Sequence, residues 1–179
     1  MRLVRERTSI PVPEEGTGNG CIVMHIAQLR HYFGELRQIS GTFIGSVDGT
    51  HCEDQFFSND PSEYGPFESE AACHEEGLMV VRFIGALPQQ HRRIVLTHDD
   101  LAPRNILLRD AKVVAIVDWE LSGFYPGYWE YVKAYYWPSW RSAWITEGIL
   151  YQILDPFILE LACLLHARDI IWCRTARTS

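Results

Sequence analysis

The chain has 179 residues, of which 47% are apolar and 22% are charged, so it can bury the core of one domain and is not disordered by composition. Its 16 basic residues are outnumbered by 23 acidic ones, and the net charge of −7 argues against a nucleic-acid-binding protein, which usually carries a basic surplus. No apolar run reaches the roughly 18 residues that span a membrane, and no secretory signal is visible. We therefore expect a cytoplasmic protein that binds neither nucleic acid nor a membrane.

The hydrophobic pattern of the first 40 residues predicts two helices separated by irregular chain. A helix ends near Arg7, and the prolines of 9–13 require an extended segment. A glycine-rich turn at 14–20 leads to a short apolar strand at 21–24. Apolar residues at helical spacing then predict an amphipathic helix over about 24–39.

The rest of the chain alternates a long loop, short strands and an aromatic helical region. Residues 41–66 show no periodicity, and a loop of this length in a compact domain is often functional. The remaining predictions are a helix at 68–88, strands at 94–97, 106–108 and 113–117, and helices after Gly127 with interruptions at Pro138 and Pro156.

The five cysteines form no CxxC pair, which is typical of reduced thiols in a cytosolic protein. Two short sequences, His51-Cys52 and Cys73-His74, could suggest a metal site. Adjacent ligands point apart, and the usual zinc spacing of two to four residues is absent. We therefore interpret these residues as unrelated loop residues.

Three polar side chains stand at the ends of the central strands. Asp100 leaves the first strand, Asn105 opens the second and Asp118 ends the third. Because a strand–loop–strand–turn–strand segment of this length brings adjacent strand ends together, these side chains can face one pocket. Carboxylate and amide oxygens are ligands that Mg²⁺ prefers, and one carboxylate would remain to orient a hydroxyl group.

The same segment resembles a known family. The pattern His98-x-Asp100-x-x-x-x-Asn105, followed by an apolar strand and Asp118, is similar to the catalytic and metal-binding segments of the protein-kinase-like superfamily. The sequence of these motifs most resembles the aminoglycoside phosphotransferase and choline kinase branch, and within it the phosphotransferase-like proteins common in fungi. The stretches that carry the likeness are Thr97-His-Asp-Asp-Leu-Ala-Pro-Arg-Asn-Ile-Leu107, Val117-Asp-Trp-Glu120 and Tyr125-Pro-Gly-Tyr-Trp-Glu-Tyr131. Ser9-Ile-Pro-Val-Pro13 and Phe43-Ile-Gly-Ser-Val-Asp-Gly49 are similar to the same set, so the resemblance covers most of residues 1–135.

The resemblance implies an α+β fold, namely a protein-kinase-like carboxyl lobe that is mostly helical with a small β-hairpin at the active site. It also implies a small-molecule kinase that transfers the γ-phosphate of ATP to a hydroxyl acceptor with Mg²⁺. The implied roles are a catalytic set of Asp100 as base, Asn105 and a bracing His98, a metal pair of Asn105 and Asp118, and substrate contacts from Glu120 and Arg104.

Two departures from the family pattern leave a second function open. Asp99 stands where the family usually has glycine, which adds negative charge and strains the loop if that position takes a positive φ. The glycine-rich loop and the strand lysine of the nucleotide lobe are not found, since both lysines follow Asp100. We therefore predict a remnant of the amino lobe with its hinge strand at 1–24 and a carboxyl lobe at 25–179. The alternative function is a catalytically inactive binding or scaffold protein.

The acidic charge is concentrated in one segment, residues 53–76, which holds eight acidic residues and neither lysine nor arginine. Related phosphotransferases place part of their acceptor-binding surface here, so a hydroxyl- or amine-bearing small molecule is the expected partner. A solvated acidic loop is the alternative that charge runs in general favour.

Overall fold

The computed structural model describes residues 2–11, 26–52, 64–76, 93–109, 112–136 and 142–175. Helices and two small antiparallel sheets alternate along these residues, which agrees with the predicted α+β class. The helices are α1 (Arg2–Arg7), α2 (Ile26–Leu36), α3 (Glu70–Glu76), α4 (Trp129–Tyr136), α5 (Ala143–Thr146), α6 (Ile149–Ile153) and α7 (Ile158–Thr175). The strands are β1 (Gly45–Ser46), β2 (Ile94–Thr97), β3 (Ile106–Arg109), β4 (Lys112–Ile116) and β5 (Gly123–Pro126).

The first sheet is an antiparallel ladder in the order β1–β5–β2. Strand β5 lies in the middle, with Phe124 opposite both Gly45 and Leu96. On the other side of β2 the chain leaving α2 adds a bridge from Ser40 to Val95. All four residues of β5 are buried, so its sequence lacks the alternation by which a half-exposed strand is found. Strand β5 was not predicted for that reason.

The second sheet is the hairpin of β3 and β4, which carries the polar cluster at its open end. Ile106 pairs with Ile116, and a register shift separates Leu107 from Leu108. The amide of Ile116 also donates to the Pro11 carbonyl at 3.0 Å. The first described segment of the chain is therefore laid along this hairpin.

The helices cover the sheets and form one core with them. Helix α2 packs against α6 and β2, while α4 packs against α6 and α7. The core contains the largest fully buried side chains of the described residues, which are mostly aromatic: Trp129, Tyr125, Tyr128, Tyr131 and Phe33. This agrees with the prediction that the aromatic region after Gly127 is helical, and α6 and α7 are separated at Pro156 as expected.

Other predictions agree in part with the described residues. Helix α2 ends at Leu36 and is followed by a turn, so the predicted extension to residue 39 was wrong. Ile39 is nevertheless buried, since it reaches the core from that turn. The predicted turn at 14–20 and strand at 21–24 lie outside the described residues, as do most of the acidic segment and the second half of the helix predicted at 68–88.

The closest approach of two strands in the first sheet depends on glycine. A Cβ atom added to Gly123 would overlap the carbonyl oxygen of Gly45 on the neighbouring strand. We expect Gly123→Ala to lower the free energy of unfolding by about 1–3 kcal/mol, because the backbone must shift. Gly34→Ala on α2, where an added Cβ meets nothing within 4 Å, is the control and should be neutral or stabilising. Urea unfolding of both variants measures the difference, and equal stabilities would contradict the strand packing.

Candidate active site

The site is built on the tight loop that follows β2. Thr97, His98 and Asp99 are at most 1% exposed, whereas Asp100 turns toward the surface with its side chain 15% exposed. Asp99 has φ +69°, in the left-handed region that favours glycine. The predicted strain at this position is therefore present, and the reversal at Asp99 carries the chain from the core to the partly exposed Asp100.

His98 connects this loop to the end of β4. Its Nδ1 accepts a hydrogen bond from the Asp100 amide at 3.2 Å, so Nε2 is the nitrogen that donates to the Val117 carbonyl at 2.9 Å. The ring also packs edge-on against Trp119, with centroids 4.5 Å apart. Burial lowers the pKa of the imidazole to about 4, with the Val117 hydrogen bond and the Asp100 charge acting in the opposite direction. The imidazole is therefore neutral at physiological pH, and each nitrogen has the hydrogen-bonding role that its neutral form allows.

Asn105 holds Asp100 in place from the start of β3. It ends a single 3₁₀ turn at Pro103–Asn105, and its Nδ2 donates to the Asp100 carbonyl at 2.8 Å and to Asp100 Oδ2 at 2.7 Å. The amide of Val117 donates in turn to the Asn105 carbonyl at 2.9 Å. These bonds join the ends of β2, β3 and β4, as the spacing of the polar residues predicted.

Beyond Val117 the chain alternates between the surface and the core. Asp118 and Glu120 are exposed, whereas Trp119 between them is buried and donates from Nε1 to the Ile116 carbonyl at 2.7 Å. Asp118 has φ +63°, the second left-handed conformation of a residue other than glycine in the described chain. The anchored tryptophan thus helps to fix the backbone of Asp118, which follows Val117, the residue whose amide donates to the Asn105 carbonyl.

Arg104 contacts Asp100 directly. Its Nη2 lies 2.6 Å from Oδ1 and 2.7 Å from Oδ2, so one guanidinium nitrogen bridges both carboxylate oxygens. The Arg104 side chain is 60% exposed, so solvent screens this pair and the arginine can move away. Glu120, the other predicted substrate contact, is exposed and lies in the turn before β5.

Glu130, which was not predicted as a site residue, binds the buried side of this loop. Glu130, in the first turn of α4, accepts from the His98 amide at 2.7 Å and from the Asp99 amide at 3.3 Å. Burial raises its pKa to about 7, although these hydrogen bonds and the charge of Arg37 lower it. The only sequence signal was an acid inside a buried aromatic helix, which indicates a partnered carboxylate but does not name the partner.

The structure thus joins Asp100, Asn105, His98 and Arg104 by direct contacts and brings Asp118 beside them. Among the described residues, no three His, Cys, Asp or Glu side chains lie close enough together to hold a metal ion by themselves. Mg²⁺, however, is commonly held by one or two protein oxygens together with phosphate oxygens and water. The side-chain nitrogen of Asn105 donates to Asp100, so its Oδ1 remains as an acceptor. Asp118 supplies a carboxylate. These two hard oxygen donors fit such an ion.

The sequence comparisons identify the family. A family model described as the phosphotransferase enzyme family (APH) matches residues 52–163, which is more than half of the chain and includes the whole polar cluster. The chain belongs to the phosphotransferase enzyme family, and the resemblance in the motifs is confirmed at this level. Searches of curated proteins and of solved structures find no match. No helix in the described residues is long and apolar enough to cross a membrane.

Two buried groups at the site should produce opposite dependences of stability on pH. The pKa of His98 falls from 6.5 to about 4 on folding. The stabilisation that comes from the neutral imidazole is therefore lost as the pH drops through that range. The pKa of Glu130 rises from 4.5 to about 7 on folding. The stabilisation that comes from the protonated carboxyl group is therefore lost as the pH increases through that range. Each is of the order of 3 kcal/mol, so they largely cancel in the wild type.

Separate substitutions should therefore reveal the two slopes. Between pH 4.5 and 6.5 we expect the free energy of unfolding of Glu130→Gln to rise with pH, and that of His98→Gln to fall with pH. Urea unfolding at several pH values measures both variants against the wild type. Parallel pH profiles for the three proteins would contradict the buried, oppositely shifted pair.

The left-handed backbone at Asp99 predicts different stabilities for two substitutions that both remove the carboxylate. Asp99→Gly should be more stable than Asp99→Ala by about 1 kcal/mol, because only alanine keeps a Cβ atom at φ +69°. The same comparison at Gly34, inside helix α2, should have the opposite sign. Thermal unfolding of the two Asp99 variants and of Gly34→Ala provides the measurement, and an alanine variant as stable as the glycine variant would contradict the loop conformation.

Proposed function

We propose that this member of the phosphotransferase family is a small-molecule kinase that transfers the γ-phosphate of ATP to a hydroxyl acceptor with Mg²⁺. The observation that carries the proposal is the pair of hydrogen bonds from Asn105 Nδ2 to Asp100, at 2.7 Å and 2.8 Å, beside the emerging Asp118. These bonds support the proposal because they join a partly exposed carboxylate to one amide oxygen donor, and the Val117 amide, which donates to the Asn105 carbonyl, immediately precedes the carboxylate of Asp118.

In this proposal Asp100 orients the acceptor hydroxyl and receives its proton. The hydroxyl oxygen attacks the γ-phosphorus, the bond from that phosphorus to the bridging oxygen breaks, and ADP leaves with the electron pair of that bond. The protein contributes mainly position, because phosphoryl transfer needs little covalent help from side chains. His98 and Asn105 supply that position, since they hold the Asp100 amide, carbonyl and carboxylate.

Asn105 Oδ1 and the Asp118 carboxylate would hold Mg²⁺, which when bound neutralises negative charge on the phosphates. Asn105 is buried while Asp118 is exposed, so packing fixes one donor and the other is accessible from solvent. Glu120, exposed two residues further on, is assigned to a secondary contact with metal or substrate.

Arg104 is assigned to the substrate side of Asp100. Its exposed guanidinium spans both Asp100 oxygens, so an arriving hydroxyl must replace at least one of these contacts. A mobile arginine that exchanges Asp100 for an anionic part of the substrate would then leave the carboxylate available to accept the hydroxyl proton.

The finer assignments of the proposal rest on the sequence motifs. These are the fungal-type branch of the family, a cytoplasmic location, and the division into a remnant of an amino lobe at 1–24 and a carboxyl lobe at 25–179. The first described segment contributes Val4 and Ile10 to the core that the later helices and strands form.

A catalytically inactive binding protein is the second candidate. The observation that favours it is the saturation of the Asp100 carboxylate, which receives Arg104 on both oxygens and Asn105 on one. With these contacts in place, an acceptor hydroxyl cannot reach the carboxylate unless one of them breaks. The two candidates differ in whether nucleotide and Mg²⁺ bind together and in whether the phosphate is transferred.

Calorimetric titration with ATP in the presence and absence of Mg²⁺ tests the proposal. We expect Mg²⁺-dependent binding by the wild type and a loss of at least tenfold in affinity for Asp118→Asn, because the carboxylate charge at the metal is removed. Asp100→Asn should bind as the wild type does and lose at least a hundredfold in kcat, because its role lies toward the acceptor. A panel of hydroxyl compounds that carry amino groups provides the acceptors for this assay.

The exposed Asp48→Asn is the matched control, because it makes the same chemical change in the turn after β1. It should leave both binding and transfer unchanged. Absence of Mg²⁺-dependent binding to the wild type at millimolar ATP would rule out the kinase proposal for this chain. Binding with no transfer to any acceptor on the panel would favour the inactive binding protein.

A further inference from the structure

We propose that the cleft between α2 and the connection from α6 to α7 is a binding site for a small monocarboxylate with an apolar body. The cleft has a volume of about 100 Å³, and its lining includes Arg30, Gly34 and Arg37 from one side and Asp155 from the other. None of the described residues that line it belongs to the cluster around Asp100. The proposed site is therefore separate from the proposed active site and does not depend on phosphate transfer.

The spacing of three residues on α2 opens the cleft. Gly34 follows Arg30 by four positions and precedes Arg37 by three, so all three lie on one face of the helix. The amide of Arg37 donates to the Phe33 carbonyl at 3.2 Å, which keeps Arg37 in the helical register just beyond the end of α2. A Cβ atom added to Gly34 would meet nothing within 4 Å. The glycine therefore leaves an open space between two arginine side chains.

The described side chains that line the cleft carry more positive than negative charge. Arg30 donates to Asp155 Oδ1 at 3.2 Å, and both of these side chains are more than half exposed. The charge of Asp155 also acts on Arg37. Two guanidinium groups thus share one carboxylate within the lining, which leaves one positive charge that an anionic ligand could balance.

Arg37 has hydrogen-bonding capacity that the described residues do not use. A guanidinium group has five N–H donors, and the described residues supply Arg37 with one acceptor, the Gly127 carbonyl. The group lies over the Phe157 ring, 5.5 Å from its centroid, and burial lowers its pKa although the charges of Glu130 and Asp155 raise it. Glu130 does not line the cleft. A carboxylate in the cleft would supply acceptors in the paired geometry that guanidinium groups favour.

The rest of the lining favours a carboxylate with an apolar body over a phosphate. Phe33, Ile153 and Leu154 are at most 2% exposed and form the apolar part of the cleft. A monocarboxylate balances the remaining guanidinium charge, whereas a phosphate dianion would leave excess negative charge beside Asp155. The volume equals that of about three water molecules, so the ligand is small. A branched short-chain acid such as 3-methylbutanoate meets these conditions.

Titration of the full ¹⁵N-labelled chain with 3-methylbutanoate at constant ionic strength, followed by NMR, tests the proposal. We expect saturable shifts of the amides at 30–37 and 153–155, with a dissociation constant in the millimolar range. The neutral 3-methylbutanamide and inorganic phosphate should each bind about tenfold more weakly, because the first lacks the charge and the second the apolar body. Absence of saturable shifts at these amides, or equal binding of the amide or of phosphate, would overturn the proposal.

Gly34→Leu tests where the ligand lies. The leucine side chain takes the open space between the two arginines and suits a helix, so the saturable shifts should disappear while the fold is kept. Ala27→Leu, at an exposed position of α2 that does not line the cleft, is the matched control and should bind as the wild type does. A Gly34→Leu variant that binds 3-methylbutanoate as tightly as the wild type does would contradict the site.

Two charge variants should change the affinity in opposite directions. Arg37→Gln should weaken binding about tenfold, because the guanidinium donors are lost. Asp155→Asn should strengthen it about threefold, because Arg30 is released toward the ligand and a repelling charge is removed. Asp48→Asn, the same change in the turn after β1, should have no effect. Weaker binding by Asp155→Asn would show that its carboxylate does not compete with the ligand and would overturn the proposal.

Discussion

The loop that follows β2 passes through the interior of the protein, and its backbone amides need acceptors that water cannot supply. Glu130 provides these acceptors for two amides, and neutral His98 provides one for the Asp100 amide. A buried amide without a partner costs free energy comparable to a lost hydrogen bond, so the loop has this shape only while these side chains are in place. The position of Asp100 therefore depends on a helix that begins about 30 residues later in the chain.

Two left-handed residues mark the ends of the site, and each delivers a carboxylate to the surface from a buried segment. Asp99 reverses the chain so that Asp100 faces outward, and Asp118 does so between the end of β4 and the buried Trp119. A side chain in this conformation costs about 1–2 kcal/mol, and it persists because surrounding packing over-determines it. The contact between His98 and Trp119 joins the two turns, so the strain at both is supported by one shared packing interaction.

The parts of the site that could be predicted from the sequence are those set by local spacing. Asp100, Asn105 and Asp118 lie at the ends of short strands that turn tightly, and so a sequence interval translates directly into a distance. The roles of Glu130 and of strand β5 could not be predicted in this way. Glu130 bonds residues 31 and 32 positions away across the core, and β5 is buried on both faces and shows no alternation. Tertiary packing determines both features, and the periodicity of the local sequence does not indicate them.

The balance of charge links the scaffold to the proposed chemistry. Around the loop, the described charged side chains include four carboxylates, Asp99, Asp100, Asp118 and Glu130, against the guanidinium groups of Arg37 and Arg104. Arg37 lies on the buried side of the loop. Arg104 lies on the side that faces solvent, where water weakens its electrostatic attraction. An anionic nucleotide would approach an already negative surface. In the proposed function, affinity for ATP at this site would therefore depend on added positive charge, which a divalent cation held by Asp118 and Asn105 would supply.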